Sequence, residues 1–168
     1  SYPVGKLGVD NIPPFLFSAL RVGLIFLVFL PFFKFKLPRK EMIKPLVLFS
    51  LTMGVGTYVS MYFALERLTI VAPIIIGAQL SIPFGILLSY FFLKDNISIN
   101  RIILIIISFL GIIIIAYDPR IIDDKIAVIL IVTMAFFYAL SNMLARVMNE
   151  VDTSVMNGWH GLISFVPI

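Results

Sequence analysis

LTIVAPIIIGAQLSIPFGILLSYFFL, residues 68–93, is the stretch on which the fold turns, because it runs 26 residues without a formal charge. A helix rises 1.5 Å per residue, so about 20 apolar residues cross a hydrocarbon core roughly 30 Å thick. Working outward, residues 15–33, 46–65, 102–117 and 126–145 are of the same kind, and of the five stretches only the first holds a charge, Arg21. Residues 1–9 read as the tail of another helix and 155–168 as the head of one, giving five whole spans and two partial ones. The whole chain supports this. It is 61% hydrophobic and 13% charged over 168 residues, whereas soluble domains run at roughly 45–50% apolar and about 25% charged. One small core has no room for that excess, so a lipid bilayer is the expected solvent and partner.

The connections are short and marked by helix breakers: Asp10 to Pro14, the basic 34–44 segment with Pro38, 94–101, and 118–125 with Pro119. Loop charge then gives an orientation. With the 34–44 loop inside, the inner loops carry eight bases and four acids, and the outer loops four bases and five acids. The net charge of +4 is therefore explained by the positive-inside rule, and nucleic acid is not needed as a partner. The chain has no Cys and one His, which excludes disulfides, thiolate chemistry and a multi-His metal centre. Neither a metal nor a cofactor is expected.

Sliding the chain by 140 places sets Ser1 on Ser141, Lys6 on Arg146 and Asp10 on Glu150. An odd number of spans, five, separates the matched helices, so the two copies would be inverted relative to each other, a plan used by many secondary transporters. On this reading residues 1–125 form a first repeat and 126–168 open an inverted second one.

Several runs carry a family resemblance. Ile12-Pro13-Pro14-Phe15 with Ser18-Ala19-Leu20-Arg21, then Ala72-Pro73 with Ala78, Gln79, Pro83 and Phe91-Phe92-Leu93, and then 137–142 together resemble helices two, four and six of the EamA-type drug/metabolite transporters. Within that superfamily, Ala78-Gln79, Ser141-Asn142 and Val155-Met156 are most similar to the cysteine and O-acetylserine exporter branch. The resemblance implies an all-α polytopic membrane helix bundle, with one five-helix repeat plus the start of an inverted second repeat of a ten-helix transporter. It also implies a central substrate cavity and cytoplasmic termini. The chain departs from the family at Lys94-Asp95, where many members carry Glu, and at 102–107, which has no early Gly.

Residues able to carry transport are few. Arg21 lies two turns into a span, a costly place for a base unless it faces protein or water. Either it attracts an anionic substrate group, or it snorkels to the outer interface or pairs with Asp10. Gln79, the one amide of 68–93, is expected to face the bundle interior, lining a cavity or bonding another helix. Ser81, Gly85 and Ser89 recur every four residues as a stripe suited to close helix packing. Gly54, Thr57, Tyr58, Met61 and Tyr62 share one helical face, as do Tyr138, Ser141, Asn142 and Ala145. Both faces mix aromatic bodies with hydroxyls or an amide, as a pocket for an amphiphilic solute would, although Tyr62 and Tyr138 also suit an interfacial belt. His160 and Trp159 either line the cavity or sit at the inner interface. Lys6 with Asp10 and Arg146 with Glu150 are i,i+4 pairs, read as ordinary helix-end ion pairs.

The expected function is a membrane transporter for small, amino-acid-like or otherwise amphiphilic metabolites in the cell (inner) membrane, working by alternating access. Substrate-binding residues would be Arg21, Tyr58, Tyr62, Gln79, Tyr138, Asn142 and His160. As one repeat and part of a second, the chain is expected to be inactive alone, needing the remaining C-terminal helices or a second copy. The alternative is a non-transporting fragment or assembly subunit. No phosphate-binding loop, HExxH or paired intramembrane carboxylates occur, so an enzyme is not expected. Ser164 follows His160 by four residues, but no third group orients the imidazole.

Overall fold

The computed structural model describes residues 2–33, 36–94, 96, 98–116 and 124–168, with backbone only at 33, 112, 113, 115 and 116. Among these every regular element is helical: α1 (Tyr2–Val9), α2 (Pro14–Phe33), α3 (Lys40–Ser50), a π-helix (Leu51–Val59), α4 (Ser60–Arg67), α5 (Ala72–Ala78), α6 (Ser81–Leu93), α7 (Ile99–Ala116), α8 (Lys125–Val147) and α9 (Thr153–Phe165). The bundle is thus the polytopic helical one expected. Four helical units are long and apolar enough to cross a membrane: Pro14–Phe32, Lys40–Arg67, Ala72–Leu93 and Lys125–Val147. The fifth expected span falls on α7, whose described apolar part, Ile99–Gly111, is shorter than a full crossing. Of the loop charges, Lys34, Asp95, Asp118, Arg120 and Asp123 lie outside the described residues.

Two of the four crossings are discontinuous, each for a reason written in its residues. In 72–93, Pro83 has no amide hydrogen for the Gln79 carbonyl and its ring crowds that oxygen. The Gln79 carbonyl accepts from Ile82 at 3.0 Å instead, while Gln79 and Leu80 themselves bond back only three residues, to Ile76 and Gly77. That tight turn separates α5 from α6. In 40–67 the middle nine residues wind as a π-helix. Within it the Thr57 hydroxyl donates to the Thr52 carbonyl, five residues back, at 2.9 Å, a side-chain bond added across the wider turn.

Long-range contacts place the loops. Arg39 meets Glu150 at 3.3 Å, and Trp159 Nε1 donates to the Lys36 carbonyl at 2.9 Å, so residues 36–39 and the 148–152 connection share one end. At the other end Arg67 meets Asp124 at 2.8 Å, and Lys6 both pairs with Asp10 at 2.8 Å and donates to the Leu65 carbonyl at 3.0 Å. This up-and-down arrangement agrees with the loop assignment made from charge.

The centre is α8, which packs against α3, the π-helix, α4, α5 and α6. Its outer half joins a core of Tyr62, Leu65, Ile74, Ala127, Ile131 and Met134. Its inner half joins a second core of Leu46, Phe49, Leu88, Ala139 and Met143, and Met53 packs against both. Helices α2 and α7 turn apolar side chains outward, among them Leu24, Leu27, Val28, Ile103, Ile106 and Ile107, as lipid-facing helices do. Helix α9 lies close against the backbone of α2: a methyl group on Gly161 would stand 2.7 Å from the backbone nitrogen of Phe26.

A candidate solute cavity around Arg21

Beside the first core lies a cavity of about 170 Å³ whose lining includes Tyr2, Arg21, Met53, Thr57, Tyr58 and Tyr138. Both discontinuities border it. Met53, Thr57 and Tyr58 come from the π-helix, and Ala78 ends α5. Tyr138 is nine residues from the end of α8, about 14 Å along the axis, so the cavity sits near mid-membrane. Interrupted helices around a midplane cavity are the usual way carriers expose backbone and polar groups to a solute.

Arg21 is the only formal charge among the described lining residues. Its guanidinium carbon stands 4.4 Å from the centre of the Tyr58 ring, a cation–π contact. Its Nη1 donates to the Tyr62 hydroxyl at 2.9 Å. Its Nε is buried and has no partner among the described residues. The side chain therefore neither snorkels to the interface nor pairs with Asp10, whose carboxylate is held by Lys6. Two tyrosines position the cation and its Nε–H is left without a partner among the described residues, a donor that suits an anionic group such as a carboxylate. Arg21 also borders a larger, almost wholly apolar groove of about 510 Å³ between α1 and α2, with Tyr62, Leu20, Leu24 and Val28.

The expected site residues are only partly brought together. Arg21, Tyr58 and Tyr138 line the cavity, and Tyr62 steers Arg21 from the groove side. Tyr138 lies at mid-height, so it does not belong to an interfacial belt. Gln79 does not face the interior: it is exposed and lines neither space, because the Pro83 turn swings it outward. Asn142 opens onto a separate cleft with Arg146. The Ser81, Gly85 and Ser89 stripe lines that cleft too, and a methyl group on Gly85 would meet nothing within 4 Å, so the stripe is not a close-packing seam.

His160 is buried behind Tyr58 and Phe49, its ring centre 6.1 and 5.5 Å from theirs, and lines none of these spaces. The Ser164 hydroxyl donates its one proton to the Ser50 carbonyl at 2.7 Å, so at 3.1 Å His160 Nδ1 must be the donor to Ser164. Gly54 makes this possible, since any side chain there would overlap Ser164. Sequence reasoning passed over Tyr2, Met53 and Met134. Met53 and Met134 each stand one turn from a residue it did select, Thr57 and Tyr138, so the i,i+4 rule held the signal.

Long apolar helices packed around a charged cavity define a multi-pass membrane protein. The chain belongs to the EamA-like transporter family, whose model matches residues 1–117, and it is accordingly a membrane transporter of small solutes. No curated protein and no solved structure matches it.

Proposed function

We propose that the protein, paired with a second copy or with further helices of the carrier, carries small amphiphilic solutes bearing a carboxylate, amino-acid-like metabolites among them, across the cell membrane by alternating access. The observation that carries this is Arg21, a cation held two turns into a membrane-crossing helix by Tyr58 and Tyr62, with its Nε unpartnered among the described residues. A solute carboxylate would take that donor, and Thr57, Tyr2 and Tyr138 offer hydroxyls for a neighbouring amine or ester. The adjoining apolar groove suits a short hydrocarbon portion. The π-helix and the Gln79–Leu80 turn are where the two discontinuous crossings would bend as the cavity opens to either side.

A carrier is favoured over an enzyme. The imidazole of His160 donates to Ser164 rather than accepting from it, which is the wrong direction for a general base. The positive-inside distribution supports a cytoplasmic 34–44 loop. The test uses the absence of native cysteine. A Thr57→Cys variant in vesicles should react with a water-soluble thiol reagent, and a panel of carboxylated amino acids such as O-acetylserine and glutamate should slow the reaction while ethanolamine does not. Protection by ethanolamine alone, or by none of the panel, would set this reading aside.

A further inference from the structure

The chain has one histidine, and it is buried without lining the solute cavity. Its Nδ1–H is committed to the Ser164 hydroxyl, so Nε2 is the basic nitrogen, with a lone pair able to accept. That atom is buried and has no partner among the described residues. The Tyr58 ring links it to the cavity: the guanidinium carbon of Arg21 lies 4.4 Å from the ring centre, and the imidazole centre 6.1 Å from it. The two buried side-chain nitrogens left without a partner among the described residues, Arg21 Nε and His160 Nε2, thus belong to the two groups that flank Tyr58.

Cation and imidazole are therefore no more than about 10.5 Å apart, and at an effective dielectric of about 20 a positive charge at that distance lowers a neighbour's affinity for a proton roughly tenfold. Few other groups compete. Helix α9 packs on α2, α3 and the π-helix. Arg21 is the one titratable residue of α2, and Tyr58 that of the π-helix. Those of α3 are Lys40, Glu41 and Lys44, at least five residues before Phe49 and Ser50, where the imidazole sits. Helix α8, which meets α9 in the inner core, carries Lys125 at its far end, Tyr138 on the cavity and Arg146 beside Ser89. The charge that governs His160 is thus Arg21, and an anion seated on Arg21 would cancel it.

We propose that His160 Nε2 is a proton-binding site linked to Arg21, so that a carboxylate solute is bound together with a proton. The solute carboxylate neutralises Arg21, a proton from water adds to Nε2 while Nδ1–H is kept, and the site carries one positive charge both empty and loaded. The proposal rests on the carboxylate reading of the Arg21 cavity. With a single histidine in the chain, isotopic labelling of histidine nitrogen lets NMR of the detergent-purified protein follow this one ring. The free protein at about pH 7 should show a neutral imidazole with its proton on Nδ1. O-acetylserine or glutamate, at concentrations that slow Thr57→Cys labelling, should raise the pH at which Nε2 takes its proton by about one unit or more, and Arg21→Gln should do the same without solute. A His160→Asn change in the Thr57→Cys protein keeps an N–H for Ser164, so solute protection should persist, while the proton uptake on binding that a pH dye reads should vanish. Solutes that slow labelling yet leave the imidazole titration in place would overturn the proton site and keep the carboxylate reading. Failure of every solute to slow labelling would set that reading aside; a moved titration in Arg21→Gln would then keep the linkage for another anion, and an unmoved one would overturn it.

Discussion

Replacing one glycine by alanine should have opposite effects at two positions of this bundle. At Gly161 the new methyl carbon would stand 2.7 Å from the Phe26 nitrogen and 2.8 Å from its Cα. Comfortable contact is about 3.5 Å or more, so α2 and α9 would have to part by about 0.8 Å. The obstacle is backbone, which cannot rotate aside, and overpacking of this kind costs about 1–3 kcal/mol. That is roughly a 5- to 150-fold shift in the unfolding equilibrium. At Gly85 nothing lies within 4 Å of the same methyl, and removing a helical glycine should stabilise by about 0.5–1 kcal/mol. Thermal unfolding of both variants in detergent, followed by intrinsic fluorescence and by size-exclusion recovery, should move Tm down for Gly161→Ala and leave it level or raised for Gly85→Ala. Equal shifts, or a stabilised Gly161→Ala, would refute the α2–α9 seam described here.

Other outcomes follow from the loops. Cys at Lys40 should react with an impermeant maleimide only after the membrane is opened, and Cys at Lys125 should react in intact spheroplasts; the reverse pattern would overturn the orientation. The Asp124 carboxyl is held below its usual range, first by the Ala127 N–H that it caps and then by Arg67. A lowered folded pKa contributes stability that is complete above the ordinary carboxylate range, near pH 4, and is lost as pH falls through the folded value. Asp124→Asn, which can still cap α8, should therefore flatten the acid side of the Tm–pH curve. An unchanged acid limb would mean that the Asp124 charge, facing Arg67 and the start of α8, contributes nothing to stability.

The crossings and their loops were legible because charge is the costliest thing to place in lipid, and the sequence keeps it in short connections around five apolar stretches. Arg21 stood out for the same reason. What single-residue logic lost was local winding. Gly54, Thr57, Tyr58, Met61 and Tyr62 were placed on one α-helical face, but the π-turn sets Gly54 against Ser164, Thr57, Tyr58 and Met61 on the cavity, and Tyr62 on the groove. Gln79 was sent inward because an amide shuns lipid, yet Pro83 four residues on removes the bond that would hold it there. The Ser81, Gly85 and Ser89 stripe promised close packing on small size alone. Arg146 and Asn142, on a helix 57 residues further along, reach that space and keep it polar.

The central claim is that Arg21 meets the solute. Transport of radiolabelled carboxylated solutes should be measured in proteoliposomes for the native protein, Arg21→Lys and Arg21→Gln, with each variant's inserted amount and Tm as controls. Lys keeps the charge but loses the planar fork, and Gln loses both, so rates should fall in the order Arg, Lys, Gln at equal insertion, with apparent affinity reduced about tenfold or more for Gln. Undiminished transport by Arg21→Gln at normal insertion would contradict the account.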